Sequence, residues 1–207
     1  MLFEALLPQF EKFEQRFPSL APERLAILHQ LTAFIQKKTT MQQPVLLNFI
    51  CTHNSRRSHL AQLWAQAAAG YYGIKNVHCY SGGTEATAFN PRAVTAMKEL
   101  GFRFEQKDNS ANPHYLVSYS DHFPAVEAFS KVYNDPFNPA GNYAAIMVCS
   151  HADENCPVVI GAEKRISLPF NDPKDYDGTG QEARMYLERA LEIGTEVAFA
   201  FSQVRPV

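Results

Sequence analysis

Four cysteines are the side chains of this 207-residue chain that could act as nucleophiles, at positions 51, 79, 149 and 156. Cys51 directly follows an apolar run, Val45–Ile50, whose length and residue types predict a strand buried on both faces. Short polar residues follow as far as Ser58, where leucine, tryptophan and alanine begin to recur at helical spacing. The segment therefore predicts a strand, a loop and a helix, with Cys51 at the mouth of the loop.

Such a loop can bind an anion. Between a strand and a helix N-terminus, several backbone N–H groups point at one place and can hold an oxyanion without a metal. The helix N-terminus and the nearby Arg57 both favour the thiolate form of Cys51. Taken alone, Cys51 is more simply a small buried residue at the end of a strand. The loop that follows it favours a nucleophile poised beside an oxyanion.

The loop also resembles a known signature. The sequence of Cys51–Ser58, CTHNSRRS, closely resembles the Cys-x5-Arg-Ser signature of the low-molecular-weight protein tyrosine phosphatases and of the thioredoxin-coupled arsenate reductases built on the same fold. The resemblance implies that Cys51 is the nucleophile, that Arg57 binds the oxyanion in bidentate fashion and that Ser58 supports the thiolate. It assigns oxyanion binding to the loop residues Thr52, His53, Asn54, Ser55, Arg56, Arg57 and Ser58.

Two positions of the loop depart from the family pattern. His53 stands where glycine is usual, and Arg56 stands where a second cysteine is common. A disulfide within the loop is therefore excluded, and a second cation is added. These departures leave open a module that binds phosphate or phosphotyrosine without turnover.

A second segment supports the resemblance. Residues 80–102, YSGGTEATAFNPRAVTAMKELGF, are similar to the next conserved segment of the same families, in which SAGT is followed by NPRAIEAMKE in a typical member. Two matches in the same order make chance agreement much less probable than one. Cys79 lies in the strand predicted just before this segment, and we interpret it as a core residue.

The last two cysteines distinguish the two enzyme classes. Tyr143–Cys149, YAAIMVC, predicts a buried strand that delivers Cys149 to the same sheet edge as Cys51. The sequence VCSHADENCP, which ends with Cys156 and a proline, resembles the redox segment of the arsenate reductases, whereas the phosphatases generally lack this pair. The resemblance implies a cascade in which Cys51 attacks arsenate, Cys149 attacks the Cys51 sulfur, and Cys156 then frees Cys51. A zinc site including His151 and two unrelated core thiols are the alternatives, although six intervening residues do not fit usual zinc spacing.

Asp172 is the candidate general acid. The pair Asp172-Pro173 follows a predicted strand, Arg165–Phe170, and the families place at this point the residue that protonates the leaving oxygen. An Asp-Pro pair is otherwise a turn signal. A similar pair at Asp135 precedes the third strand of the predicted sheet, so we rank it below Asp172.

The predicted fold is α/β, with a four-stranded, mainly parallel sheet and helices on both faces, as in the low-molecular-weight phosphatases. Residues 1–43 predict a helical N-terminal extension, and residues 44–207 the phosphatase-like domain. Residues from about 105 to 142 predict an insertion that contains a hairpin. The resemblance covers roughly residues 44–104 and 143–202.

Composition limits the possible partners. The formal net charge of −2 argues against nucleic acid, and no apolar stretch is long enough to span a membrane. We expect a cytoplasmic enzyme without a metal or other cofactor. The leading hypothesis is arsenate reduction with thioredoxin as reductant; the alternative is a phosphatase that acts on phosphotyrosine or another aryl phosphate.

Overall fold

The computed structural model describes residues 1–155 and 158–205. The helices are α1 (Leu7–Arg16), α2 (Pro22–Thr40), α3 (Arg57–Tyr71), α4 (Pro91–Glu99), α5 (Ser150–Asn155) and α6 (Glu182–Ser202). The strands are β1 (Val45–Cys51), β2 (Val77–Gly83), β3 (Arg103–Gln106), β4 (Tyr115–Ser118), β5 (Val126–Ala128), β6 (Tyr143–Met147) and β7 (Ala162–Ser167). Short 3-10 helices occupy Phe17–Ser19 and Pro173–Tyr176.

A parallel sheet with the order β2-β1-β6-β7 forms the centre of the molecule. Helices pack against it, as the sequence predicted. Cys51 is in register with Gly83 of β2, and Ile50 is in register with Met147 of β6. The carboxyl ends of these three strands therefore meet at one edge of the sheet, where ligand sites of α/β proteins form. β7 lies three residues earlier than expected, and Leu168 and Phe170 continue beside β6 through backbone bonds to Met147 and Val148.

The two N-terminal helices share the core of the sheet domain. Phe10 and Phe13 of α1 are fully buried, and both rings meet the Trp64 ring of α3 edge to face, at 5.8 and 4.9 Å between centroids. Gly194 of α6 makes room for this contact, because a Cβ there would lie 2.5 Å from Cζ of Phe13. The N-terminal helices are therefore part of the hydrophobic core.

Replacing Phe13 with alanine is expected to lower the free energy of unfolding by about 3–5 kcal/mol, because the surrounding aromatic rings cannot collapse into the space left. Urea denaturation followed by circular dichroism measures this loss. Gln15→Ala, an exposed change on the same helix, is the control. A Phe13→Ala protein as stable as this control would show that α1 is only loosely attached.

Residues 103–128 form a second, antiparallel sheet with the order β3-β4-β5. The predicted hairpin is the β4–β5 part, and β3 adds a strand that the sequence did not indicate. The chain leaves this sheet after Ala128 and returns to the main one, where Lys131 O accepts from Gly83 N and Tyr133 N donates to Gly83 O. These bonds form an isolated parallel bridge between Gly83 and Val132 at the end of β2, so the second apolar run contacts the main sheet at one point only.

No helix in residues 1–155 and 158–205 is both long and apolar enough to cross a membrane.

Candidate active site

The loop between β1 and α3 turns its carbonyl groups outward. Backbone N–H groups of neighbouring residues donate to three of them: Thr84 to Cys51 O at 3.1 Å, Glu85 to Thr52 O at 2.8 Å and Asn90 to Ser55 O at 2.9 Å. The backbone N–H groups of the loop residues 53–56 donate to no acceptor within the described part of the chain. This is the arrangement that a loop needs in order to donate several N–H groups to one oxyanion.

Asn54 organises the inside of the loop. It is fully buried and has a φ of 43°, a left-handed conformation that asparagine tolerates. Its Nδ2 donates to Ser58 Oγ at 2.9 Å, and Ser58 Oγ lies 3.1 Å from Cys51 Sγ. Because the amide donates to the serine oxygen, the serine proton is free to point at the sulfur. His53 does not have a positive φ, so histidine in place of the family's glycine causes no backbone strain.

Arg57 faces Asp172 across the mouth of the loop. Its Nη1 donates to Phe170 O at 2.9 Å and its Nη2 donates to Asp172 Oδ2 at 2.6 Å. The third donor, Nε, is buried and has no partner among the described residues. A buried donor without an acceptor costs free energy. An anion beside Cys51 would accept a hydrogen bond from Arg57 Nε and remove that cost.

The space above Cys51 is small and polar. It is a shallow depression, partly open to solvent, and is lined by Cys51, His53, Ser55, Arg56, Arg57 and Asp172. Asp172 therefore lies at the loop. Asp135 instead accepts a hydrogen bond from the backbone of Phe137 and does not line this space.

Arg56 is held by residues that the sequence did not single out. Its Nε donates to the Tyr186 hydroxyl at 2.9 Å, and that hydroxyl donates to Asp177 Oδ1 at 2.8 Å. Burial is the main factor that raises the pKa of Tyr186, to about 12, so the phenol remains protonated. The guanidinium is also 3.9 Å from Asp172. Tyr186 lies 130 residues from Arg56 in sequence, and no motif links the two.

Cys149 lies against the loop. It follows β6, is buried, and has its sulfur 3.5 Å from the hydroxyl of Thr52, the residue after Cys51. The N–H of Ala152 donates to the same sulfur at 3.4 Å, and His151 Nδ1 is 3.3 Å from the Thr52 hydroxyl. The structure thus brings the segments of Cys51 and Cys149 together at the sheet edge.

The other two cysteines are Cys156 and Cys79. Cys156 lies outside the described residues. Cys79 is buried in β2, and burial raises the pKa of its thiol, which agrees with its interpretation as a core residue.

Ser130 and Lys131, just beyond β5, brace the loop from outside. The Ser130 hydroxyl donates to His53 O at 3.0 Å, and the Lys131 N–H donates to Asn54 Oδ1 at 2.9 Å. The Lys131 ammonium is buried, donates to Phe129 O at 3.2 Å and lies 4.3 Å from the Phe129 ring centroid. Burial lowers its pKa to about 8. No motif includes these residues, so this contact could not be predicted from the sequence.

Replacing Lys131 with methionine is expected to stabilise the protein by up to about 3 kcal/mol at pH 7, because burial disfavours the charged lysine. Its pKa is about 8 in the folded protein and 10.5 ordinarily, so the unfolded chain binds more protons between these values. The stability of the wild type relative to Lys131→Met should therefore rise with pH from about 8 to 10.5. Urea denaturation of both proteins at pH 7 and pH 10 tests this, and a difference independent of pH would contradict it.

A parallel sheet that carries a cysteine and an arginine on an oxyanion loop after its first strand defines a thiol-dependent, phosphatase-like α/β protein. The family model described as low molecular weight phosphotyrosine protein phosphatase matches residues 46–118. Arsenate reductase 2 of Staphylococcus epidermidis is 30% identical over 125 residues, which are 60% of this chain and 76% of that protein. The arsenate reductase of Halalkalibacterium halodurans is 28% identical over 153 residues, covering 73% of this chain and 91% of that protein.

Solved structures agree on the fold. A mutant of YwlE from Bacillus subtilis superposes with a TM-score of 0.52 at 16% identity, covering 78% of this chain and 99% of that one. An arsenate reductase in the phosphate binding state gives a TM-score of 0.50 at 18% identity, with the same coverage of both chains. This chain belongs to the low-molecular-weight phosphotyrosine protein phosphatase family, and its relatives there include arsenate reductases.

Proposed function

We propose that this protein is an arsenate reductase that uses Cys51, Cys149 and Cys156 in turn. The observation that carries the proposal is the position of Cys149, whose sulfur is 3.5 Å from the side chain of the residue after Cys51. A phosphatase has no need of a second thiol at this point, because phosphorus is not reduced. The relatives named arsenate reductase support the same function.

The first step joins arsenate to Cys51. The loop N–H groups and Arg57 hold three arsenate oxygens, and the Cys51 thiolate, supported by Ser58, attacks arsenic. An As–S bond forms, an As–O bond breaks, and one arsenate hydroxyl leaves as water after it accepts a proton. Asp172, which lines the space above Cys51, donates that proton. Arsenic remains As(V) in the adduct.

The second step is the reduction. The Cys149 thiolate attacks the Cys51 sulfur, so that an S–S bond forms and the As–S bond breaks. The electron pair of that bond stays with arsenic, which becomes As(III) and leaves as arsenite. The Thr52 hydroxyl and the Ala152 N–H, both within 3.5 Å of the Cys149 sulfur, are suitable donors to a thiolate there.

The third step regenerates the nucleophile. The Cys156 thiolate attacks Cys149, releases the Cys51 thiolate and leaves a Cys149–Cys156 disulfide. An external dithiol then supplies two electrons to reduce this disulfide, and thioredoxin is the reductant that we propose. The three thiols require a reducing compartment between turnovers, which fits a cytoplasmic location.

Hydrolysis of phosphate esters is the second candidate. It needs only Cys51, Arg57 and an acid, and the structure has Asp172 beside this loop. The space above Cys51 offers little support for phosphotyrosine, since no phenylalanine, tyrosine or tryptophan among the described residues lines it to stack on the substrate ring. An inorganic oxyanion such as arsenate needs no such wall.

The decisive experiment compares arsenite formation with hydrolysis of p-nitrophenyl phosphate. Wild-type protein with thioredoxin, thioredoxin reductase and NADPH should produce arsenite, and Cys156→Ser should stop after a single turnover. Hydrolysis of the ester should survive that change. Efficient ester hydrolysis without arsenite from the wild type would refute the proposal, and Cys51 alkylation by iodoacetate no faster than that of a free thiol would indicate a module that only binds anions.

A further inference from the structure

A second cavity, remote from the oxyanion loop, opens beside the edge strand of the main sheet. It has a volume of about 540 Å³ and lies between the C-terminal half of α3, strand β2 and the segment that leads into β5. It shares no lining residue with the space above Cys51. Its volume falls within the range of sites that bind small organic molecules.

Aromatic rings form one wall of this cavity. Tyr119 and Phe123 stack with their ring planes 13° apart, and Phe137 also lines the cavity. Phe123 and Phe137 are 38% and 40% exposed, although both are large apolar residues. When a flat apolar molecule covers solvent-exposed ring faces, apolar surface is removed from water and the complex is stabilised.

The floor of the cavity argues against a peptide strand as the occupant. Gln66 accepts from Cys79 N at 3.0 Å and donates to Val77 O, while Gln62 donates to Cys79 O at 3.0 Å. These glutamines use the free hydrogen-bonding groups of the β2 edge. A partner strand would have to displace both glutamine side chains before it could pair with Val77 and Cys79.

Charge at the rim indicates what the occupant carries. Lys75 lines the cavity and is exposed, and none of the ion pairs found within residues 1–155 and 158–205 includes it. The carboxylate of Glu127, the acidic residue of the lining, is 2.8 Å from Nδ1 of His114 and so is engaged elsewhere. The rim therefore offers a free cation and favours a single negative group on the ligand.

Residues 126–131 connect the cavity to the oxyanion loop. Val126 and Glu127 of β5 line the cavity, and a few residues further on Ser130 and Lys131 hold the backbone of His53 and the side chain of Asn54. We propose that the cavity binds an aromatic compound with one acidic group, and that this binding is linked to the state of the oxyanion loop through residues 126–131.

The probe is 8-anilinonaphthalene-1-sulfonate, which combines aromatic rings with one sulfonate. Fluorescence titration of the full chain should give saturable binding at one site, with a Kd on the order of 10 µM. Phe123→Ala should weaken binding about tenfold and Lys75→Ala about threefold. Lys12→Ala, an exposed lysine on α1, is the matched control and should bind as the wild type does. Absence of saturation, or equal binding by all four proteins, would overturn the proposal.

The link between the cavity and the oxyanion loop is tested by the alkylation rate of Cys51. Iodoacetamide labelling of Cys51, followed by mass spectrometry of its peptide, should change in rate by about twofold or more when the cavity is saturated with the probe. Phe123→Ala at the same probe concentration should show a smaller change. An unchanged rate in the saturated wild type would overturn the link between the two sites. Neither readout requires arsenate reduction, so the result is independent of the proposed function.

Discussion

Replacing Cys149 with serine is expected to abolish steady-state arsenate reduction, with a loss of about 10³-fold or more, because no thiol would remain to attack the Cys51 adduct. Serine is close to cysteine in size and can keep the contact with the Thr52 hydroxyl, which is 3.5 Å from the sulfur in the wild type. The loop and its bound anion should therefore be undisturbed. Arsenite formation coupled to thioredoxin, measured alongside iodoacetate labelling of Cys51, separates these effects.

Cys79→Ala is the matched control for this change. Cys79 is also buried on the sheet, but its sulfur has no place in the cascade. The control should keep arsenite formation within a few-fold of the wild type, while Cys149→Ser should label at Cys51 as fast as the wild type and yield no arsenite. Arsenite production by Cys149→Ser near the wild-type rate would show that another thiol resolves the adduct.

Replacing Gly83 with alanine is expected to disrupt the oxyanion loop. Gly83 ends β2 beside Cys51, and a Cβ there would lie 2.3 Å from Glu85 O, 2.6 Å from Thr52 O and 2.7 Å from Asn54 N. All three atoms belong to the backbone, so no side-chain rotation can relieve the contact. The loop itself has to shift, and with it the N–H groups that would hold an anion.

We expect Gly83→Ala to weaken phosphate binding by about tenfold or more and to lower the free energy of unfolding by about 1–3 kcal/mol. Isothermal titration calorimetry and urea denaturation measure the two effects. Gly180→Ala, at a position where a Cβ would meet nothing within 4 Å, should change neither. A Gly83→Ala protein that binds phosphate as tightly as the Gly180→Ala control would show that the loop tolerates displacement.

Much of the site could be predicted because it depends on local patterns. The apolar run before Cys51 and the helical spacing after Ser58 define a strand, a loop and a helix by themselves. Parallel strand order then places Cys149 at the same sheet edge, and Asp172 follows from its place after the last strand. The strand, the loop, the helix and the position of Cys149 need only periodicity and topology, whereas singling out Asp172 also needed the resemblance to the phosphatases.

The remaining parts depend on contacts between segments far apart in sequence. Nothing in the residues around Lys131 indicates that its backbone would reach Asn54, which is 77 positions away. The hydrogen bond between Arg56 and Tyr186 could not be predicted either, because a tyrosine on the buried face of α6 resembles any core residue. The extra strand β3 forms because β4 offers it an edge, although its own sequence alternates only weakly.

The ion pair between Arg57 and Asp172 gives the free protein an internal competitor for its own substrate. Asp172 occupies Nη2 of Arg57 at 2.6 Å, so an incoming oxyanion must displace a tethered carboxylate before it gains that donor. The measured affinity for any anion is thereby reduced by the fraction of molecules in which the carboxylate is bound. This factor is the same for weak and strong ligands, and once an anion has bound, the released carboxylate becomes available for proton transfer.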